Sequence, residues 1–270
     1  MTTQAVTSAT AESASRRAAA LQIDLNCDMG ESFGAWKMGN DEAVLDHVTS
    51  ANVACGFHAG DPRTMQRTVA AAVARGVEIG AHPGFQDLAG FGRRNMVISP
   101  AEAHAMVVYQ VGALAGFARA AGTRLNHVKA HGALYNMAVR DRALADAIAR
   151  AVRDVDPELI FFGLAGSPMI EIAESLGLRA ASEVFADRSY QDDGSLTPRT
   201  QPGAMIEDED IAVAQVKRMV LEGRVRTQSG REVAVRADTL CIHGDQPGAV
   251  AFAKRIRAEL AAAGVAVRAP

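Results

Sequence analysis

Between residue 22 and the C-terminus, short strand-like runs alternate with helix-like ones, and this order constrains the fold more than any other feature. The strand-like runs are "QIDLNCD" (22–28), "TSANVACG" (49–56), "VEIGAHP" (77–83), "LNHVKAH" (125–131), "LIFFGLAG" (159–166), "RAASEVFAD" (179–187) and "DTLCIHGD" (238–245). Helical patterns fall between them, at 41–48, 61–76, 99–122, 141–156, 167–177 and 208–223, and a last one follows at 246–264. Several have clear ends. Asp61 and Ser99 suit N-caps, Pro62 and Pro100 suit first turns, and Gly76 suits a helix stop. Strands alternating with helices require a parallel sheet with helices outside it. The seven β-α units predict a single-domain (β/α)7 TIM-like barrel over residues 21–270, with an open doubly wound sheet as the alternative. The stretch 225–237 reads as a hairpin turning at Ser229-Gly230.

A chain of 270 residues with 49% hydrophobic and 22% charged residues can bury a core of barrel size. The formal net charge of −3 gives no footprint for nucleic acid or an anionic membrane. No apolar run approaches the roughly 18 residues of a membrane span. The three cysteines, Cys27, Cys55 and Cys241, form no C-x-x-C pair and read as reduced, buried thiols of a cytoplasmic protein. Residues 1–20, rich in Ser, Thr and Ala and without an apolar core, read as a disordered N-terminal extension.

Side chains alternate between the two faces of a strand. In six of the seven strands one face is polar. Asp24, Asn26 and Asp28 oppose Ile23, Leu25 and Cys27; Asn52 opposes Val53; His82 opposes Ile79 and Ala81. His127, Lys129 and His131 share a face, as do Glu183 and Asp187, and then Thr239, Cys241, His243 and Asp245. Only 159–166 is apolar on both faces. Burying so many ionisable groups is costly unless they pair or bind something. In a barrel they converge on the axis and reach an active site at the carboxyl ends of the strands. Asp24 and His127, lower on their strands, suit core hydrogen bonding. The loops beyond add Glu31, His58, Asp61, Asp87, Arg93 and Arg94, and the polar loop 187–204, which includes Arg188, suits a lid.

Asp, Glu, His and Lys around one pocket suit hydrolysis by directly activated water. There is no G-x-S-x-G elbow, and no G-x-x-x-x-G-K-[ST] or strand-linked G-x-G-x-x-G nucleotide loop. The catalytic candidates are Asp28, Glu31, His82, Lys129 and His131. The substrate-binding candidates are Asn26, Asn52, His58, Asp61, Glu183, Asp187, Arg188, His243 and Asp245. Asp28, His58, His82 and His131 are metal-ligand types, although no helical H-x-x-x-H spacing fixes them, so a divalent metal stays an open alternative.

The strings "IDLNCDMGESFG", "ANVACGFHAGDP", "GAHPGFQD", "HVKAHGALYN" and "EVFADRSYQDDGSL", in this order, closely resemble the LamB/YcsF family of lactam-utilisation proteins from about residue 21 to the last helix. The resemblance implies a barrel of the glycoside hydrolase/deacetylase type. It also implies ATP-dependent hydrolysis of 5-oxo-L-proline (pyroglutamate) to L-glutamate in the cytoplasm. ATP is then a co-substrate, and two further 5-oxoprolinase subunits, of the PxpB and PxpC type, are partners. It assigns no catalytic residues. Two alternatives remain: a metal-dependent deacetylase-like amidohydrolase, weakened because Gln86 stands where that triad needs a second histidine, and a lactam-binding subunit without chemistry of its own.

Overall fold

The computed structural model describes residues 21–244 and 248–270, so the expected disordered extension over 1–20 and the candidate Asp245 lie outside the described residues. Seven parallel strands close into a barrel. They are β1 (Gln22–Met29), β2 (Ser50–Ala54), β3 (Glu78–His82), β4 (His127–Lys129), β5 (Ile160–Leu164), β6 (Arg179–Phe185) and β9 (Thr239–Ile242). Each pairs with the next, and β9 closes the ring by pairing with β1, Leu25 opposite Leu240. The expected barrel is therefore the observed one, and the open sheet is ruled out. The hairpin forms as β7 (Arg224–Arg226) and β8 (Glu232–Ala234), and a short β10 (Ala266–Val267) extends the start of β1.

The helices are α1 (Asp41–Leu45), α2 (Pro62–Arg75), α3 (Pro100–Ala120), α4 (Gly132–Ala138), α5 (Arg142–Val155), α6 (Pro168–Ser175), α7 (Glu209–Lys217) and α8 (Ala249–Ala262). The cap residues work as their types require. Asp61 accepts from the amides of Arg63 and Thr64, and Ser99 forms a capping box with Glu102. Gly76 ends α2 at φ 64°. Three boundaries differ from the sequence expectation. The strand expected over 125–131 shrinks to three residues, because His131 turns out to be the N-cap of α4, a helix the periodicity did not reveal. The helix expected over 41–48 stops at Leu45, and that over 208–223 passes into a π-helical turn at Arg218–Glu222.

The apolar face of each strand packs outward against the helices, with Ile23, Leu25, Val53, Ile79, Val128 and Leu240 all buried. Inside the barrel a small apolar plug, Ile160, Phe162 and Ala181, fills the β5–β6 side. The remaining interior is polar. Gly80 of β3 makes this possible: a Cβ there would lie 2.0 Å from Nε2 of His127, whose ring stacks on Phe162. Gly80→Ala is expected to cost about 1–3 kcal/mol or more, because the ring has no free space to enter. Urea denaturation measures this, and an unchanged midpoint would show that the ring relocates freely.

Candidate active site

The inward polar residues stack in layers. At the bottom, Asp24 accepts from the hydroxyls of Thr49 (2.6 Å), Ser50 (2.7 Å) and Thr239 (2.5 Å). Burial raises its carboxyl above the usual range despite these bonds. One layer up, Asn52 Nδ2 donates to Asn26 Oδ1 (2.7 Å) and Asp28 Oδ1 (2.9 Å), and His127 Nε2 donates to Asn52 Oδ1 (2.7 Å). Burial pushes His127 down to about 3, so it is a neutral donor. Asp24 and His127 are thus hydrogen-bonding core groups, as their low positions on the strands suggest.

The next layer is built around Lys129, 3% exposed. Its Nζ lies 3.0 Å from Asp28 Oδ1, 2.8 Å from Glu183 Oε1, 3.1 Å from Asn26 Oδ1 and 3.1 Å from Cys241 Sγ. Tyr135 donates its hydroxyl to the other Glu183 oxygen (2.8 Å). Burial opposes the lysine charge, but Asp28, Cys241 and Glu183 outweigh it and hold the ammonium well above its usual range. Three N–H donors already have four protein acceptors within reach. Lys129 therefore bridges Asp28 and Glu183 with its donors already engaged by the protein. At Asp28 burial likewise works against the charge, and His82 and Lys129 together hold the carboxyl well below the usual carboxylate range.

Beside Asp28 sit three histidines. His82 donates Nδ1–H to the Lys129 carbonyl (2.7 Å), and its Nε2 faces Asp28 Oδ2 at 3.2 Å and His131 Nδ1 at 3.0 Å. His131 donates Nε2–H to the Phe91 carbonyl (2.9 Å). Phe91 has φ 54°, a left-handed conformation costing a non-glycine residue on the order of 1–3 kcal/mol. That strain aims its carbonyl at the histidine. His58, completely buried, stacks on His131 with ring centres 3.7 Å apart. Glu31 Oε1 lies 3.4 Å from His58 Nε2 and 3.7 Å from His131 Nδ1. Burial pushes His58 and His131 well below the usual imidazole range. Gly92, at φ 60°, closes over the pair, and a Cβ there would meet His58 at 2.7 Å.

Above these groups opens a cavity of about 700 Å³, lined at its floor by Asp28, His82, Lys129 and His131. Its rim is cationic, with Arg93, Arg140, Arg188 and Arg199. The loop 187–204 folds over one side. Arg188 donates to the carbonyls of Thr197 (2.6 Å) and Ala204 (3.2 Å), and burial lowers its guanidinium to about 10. His243 Nδ1 lies 2.8 Å from both Asp187 oxygens, and Arg199 donates to its Nε2 (3.0 Å). His243 is therefore a neutral ring with Nδ1–H directed at Asp187.

The structure thus gathers Asp28, His82, Lys129 and His131 on the floor, Glu31 and His58 beside it, and Asp187, Arg188 and His243 at the rim. Asn26, Asn52 and Glu183 support the floor from below. Asp61 is not brought in: it caps α2 and accepts from the Gly34 amide (2.9 Å). Asp87 pairs with Arg94 outside the pocket. Tyr135, Arg140 and Arg199 were not singled out from sequence, and Cys241 was placed on the inward face without being named a site candidate. Cys241 shares the inward parity of Thr239, which was the available signal for it.

Fold and site together define a seven-stranded α/β barrel whose strand ends enclose a buried basin of ionisable groups. The chain belongs to the LamB/YcsF family, whose model matches residues 23–270. It is 67% identical over 247 residues to a Bordetella pertussis protein named as the A subunit of 5-oxoprolinase, covering 92% of this chain and 98% of that one. It is 62% identical over 248 residues to the protein of the same name from Bacillus subtilis, covering 92% and 96%. A crystal structure of a lactam utilization protein from Thermus thermophilus superposes with a TM-score of 0.87 at 51% identity, covering 92% of this chain and all of that one. Among the described residues no helix is long and apolar enough to cross a membrane.

Proposed function

We propose that this chain is the lactam-opening component of a cytoplasmic, ATP-dependent 5-oxoprolinase, hydrolysing 5-oxo-L-proline to L-glutamate together with two further subunits. The observation that carries the reading is the juxtaposition of an ionised Asp28, bridged to His82 and Lys129, with a cavity whose rim is cationic. The names of the relatives supply the substrate class.

An unstrained lactam is a poor electrophile, and phosphorylation of its oxygen makes a good one. The chain has no recognisable nucleotide loop, which fits a partner delivering the phosphoryl group from ATP. Rim arginines would hold the substrate carboxylate and the phosphoryl group. Water then adds to the ring carbon and gives its proton to the Asp28–His82 pair. The ring nitrogen takes up a proton, with His131 or His82 as the relay, and the C–N bond breaks. The acyl phosphate left behind is hydrolysed by a second water. The net change is one lactam, one ATP and two waters to glutamate, ADP and phosphate.

A binding measurement on the chain alone tests the substrate class. 5-Oxo-L-proline should raise its melting temperature in a concentration-dependent way, whereas L-proline, which lacks the ring carbonyl, should not. Equal shifts with both compounds, or none with either, would remove the lactam from this pocket.

A further inference from the structure

The contact between His82 and His131 is unusual. Each ring gives its N–H to a backbone carbonyl, His82 Nδ1 to Lys129 and His131 Nε2 to Phe91. A carbonyl only accepts, so these bonds use one N–H of each ring and leave the second nitrogen of each, His82 Nε2 and His131 Nδ1, for another partner. Those two nitrogens face each other at 3.0 Å. Two lone pairs at that distance repel unless something positive lies between them. The neighbouring atoms sharpen the point, since Asp28 Oδ2 is 3.2 Å from His82 Nε2 and Glu31 Oε1 is 3.7 Å from His131 Nδ1. His58 completes the group, with neither ring nitrogen making a hydrogen bond although the residue is fully buried.

We propose that this floor binds one divalent transition-metal ion, with His82 Nε2, His131 Nδ1 and a Glu31 oxygen as protein ligands and with His58 packed behind them. Four features support it. Metal-binding histidines characteristically give their other N–H to a carbonyl or carboxylate, as both do here. One ligand atom from each of Glu31, His58, His82 and His131 lies within 4.8 Å of the others. The adjacent spacings of 3.0 and 3.7 Å bracket the edge of about 3.4 Å expected around a tetrahedral ion with bonds of about 2.1 Å. The surroundings also fit: Asp28 Oδ2 lies 3.2 Å from His82 Nε2 and Glu31 Oε1 lies 3.4 Å from His58 Nε2, so two carboxylates border the cluster. Imidazole with carboxylate suits zinc, cobalt, nickel, manganese or iron better than magnesium or calcium. His58 is stacked parallel to His131, so an ion in the plane of the His131 ring lies outside that of His58. For that reason His58 is assigned behind the ion rather than on it.

This deepens the hydrolytic reading, with the proton relay passing from His82 and His131 to Asp28 because the ion takes the second nitrogen of each ring, and its test involves no lactam, ATP or partner, so either can fail alone. The chain is stripped with a chelator and titrated separately with Zn²⁺ and Co²⁺, with bound metal counted by mass spectrometry. The expected result is about one ion per chain and a ligand-field spectrum of low-symmetry Co²⁺. His82→Gln and His131→Gln should each weaken binding by about 100-fold or more, as should Glu31→Gln, which keeps the side-chain volume. His104→Ala, on the surface beside Asp154, should leave it unchanged. If the histidine variants do not fold, Glu31→Gln decides. Substoichiometric binding by the wild type, or equal affinity in folded Glu31→Gln, would overturn the proposal and leave a shared proton between the two rings.

Discussion

Lys129→Met should abolish glutamate formation by the assembled enzyme, with a loss of at least about 10³-fold, and should also destabilise the chain by about 3–5 kcal/mol. Both effects come from one arrangement. The ammonium is the only cation buried between Asp28 and Glu183 among the described residues, at 3.0 and 2.8 Å. Removing it leaves two carboxylates facing each other, Glu183 fully buried and Asp28 only partly exposed to the cavity. They must either repel or take up a proton, and a protonated Asp28 cannot accept one from water. For a chain of this size the stability loss is roughly 6–20 °C in melting temperature. Lys129→Arg should not rescue activity, because the planar guanidinium cannot replace a point donor with acceptors on several sides. Adding Glu183→Gln to Lys129→Met should recover part of the stability and none of the activity. A Lys129→Met protein that melts as the wild type does would show that the carboxylates are not held as described.

Asp28→Asn should be nearly as damaging to activity, by about 10²–10⁴-fold, while changing side-chain volume little. It also carries a pH signature. His82 and Lys129 hold the folded Asp28 well below the usual carboxylate range, whereas the unfolded residue titrates near about 3.9. The unfolded state therefore binds the proton first. The stabilisation from this group is fully present above about pH 4 and is lost as the pH falls through the lower, folded value. Asp28→Asn removes that contribution, so its stability should fall less steeply on acidification than that of the wild type. Denaturant midpoints measured from neutral pH into the acid limb check this, and parallel curves for the two proteins would contradict it.

Much of this site was readable because strand parity has a period of two. Asp28 and Lys129 lie on strands, and His82 ends one, so counting by twos aimed them at the axis before any contact was known. The apolar exception at 159–166 was legible too, and it became the plug of Ile160 and Phe162. Parity could not say what Lys129 would touch. Its saturation depends on Glu183, held by Tyr135 from a helix capped by His131, and a seven-residue helix leaves little periodic signal. Glu31 and His58 lie on loops, where the backbone path rather than an alternation sets direction. Their approach to His131, and the strained Phe91 behind it, are tertiary facts. Asp61 shows the opposite case. The same residue suited an N-cap and a binding site, and the amides of Arg63 and Thr64 claim it as a cap.

The central claim is that this barrel opens the lactam ring only when ATP activates it. Glutamate release from 5-oxo-L-proline should be measured for the chain alone and then with its two partner subunits, each with and without ATP. The account predicts release only with partners and ATP present together, with about one ADP formed per glutamate, as phosphoryl activation of each lactam requires. Release by the chain alone without ATP, or none by the folded and associated assembly with ATP, would contradict it.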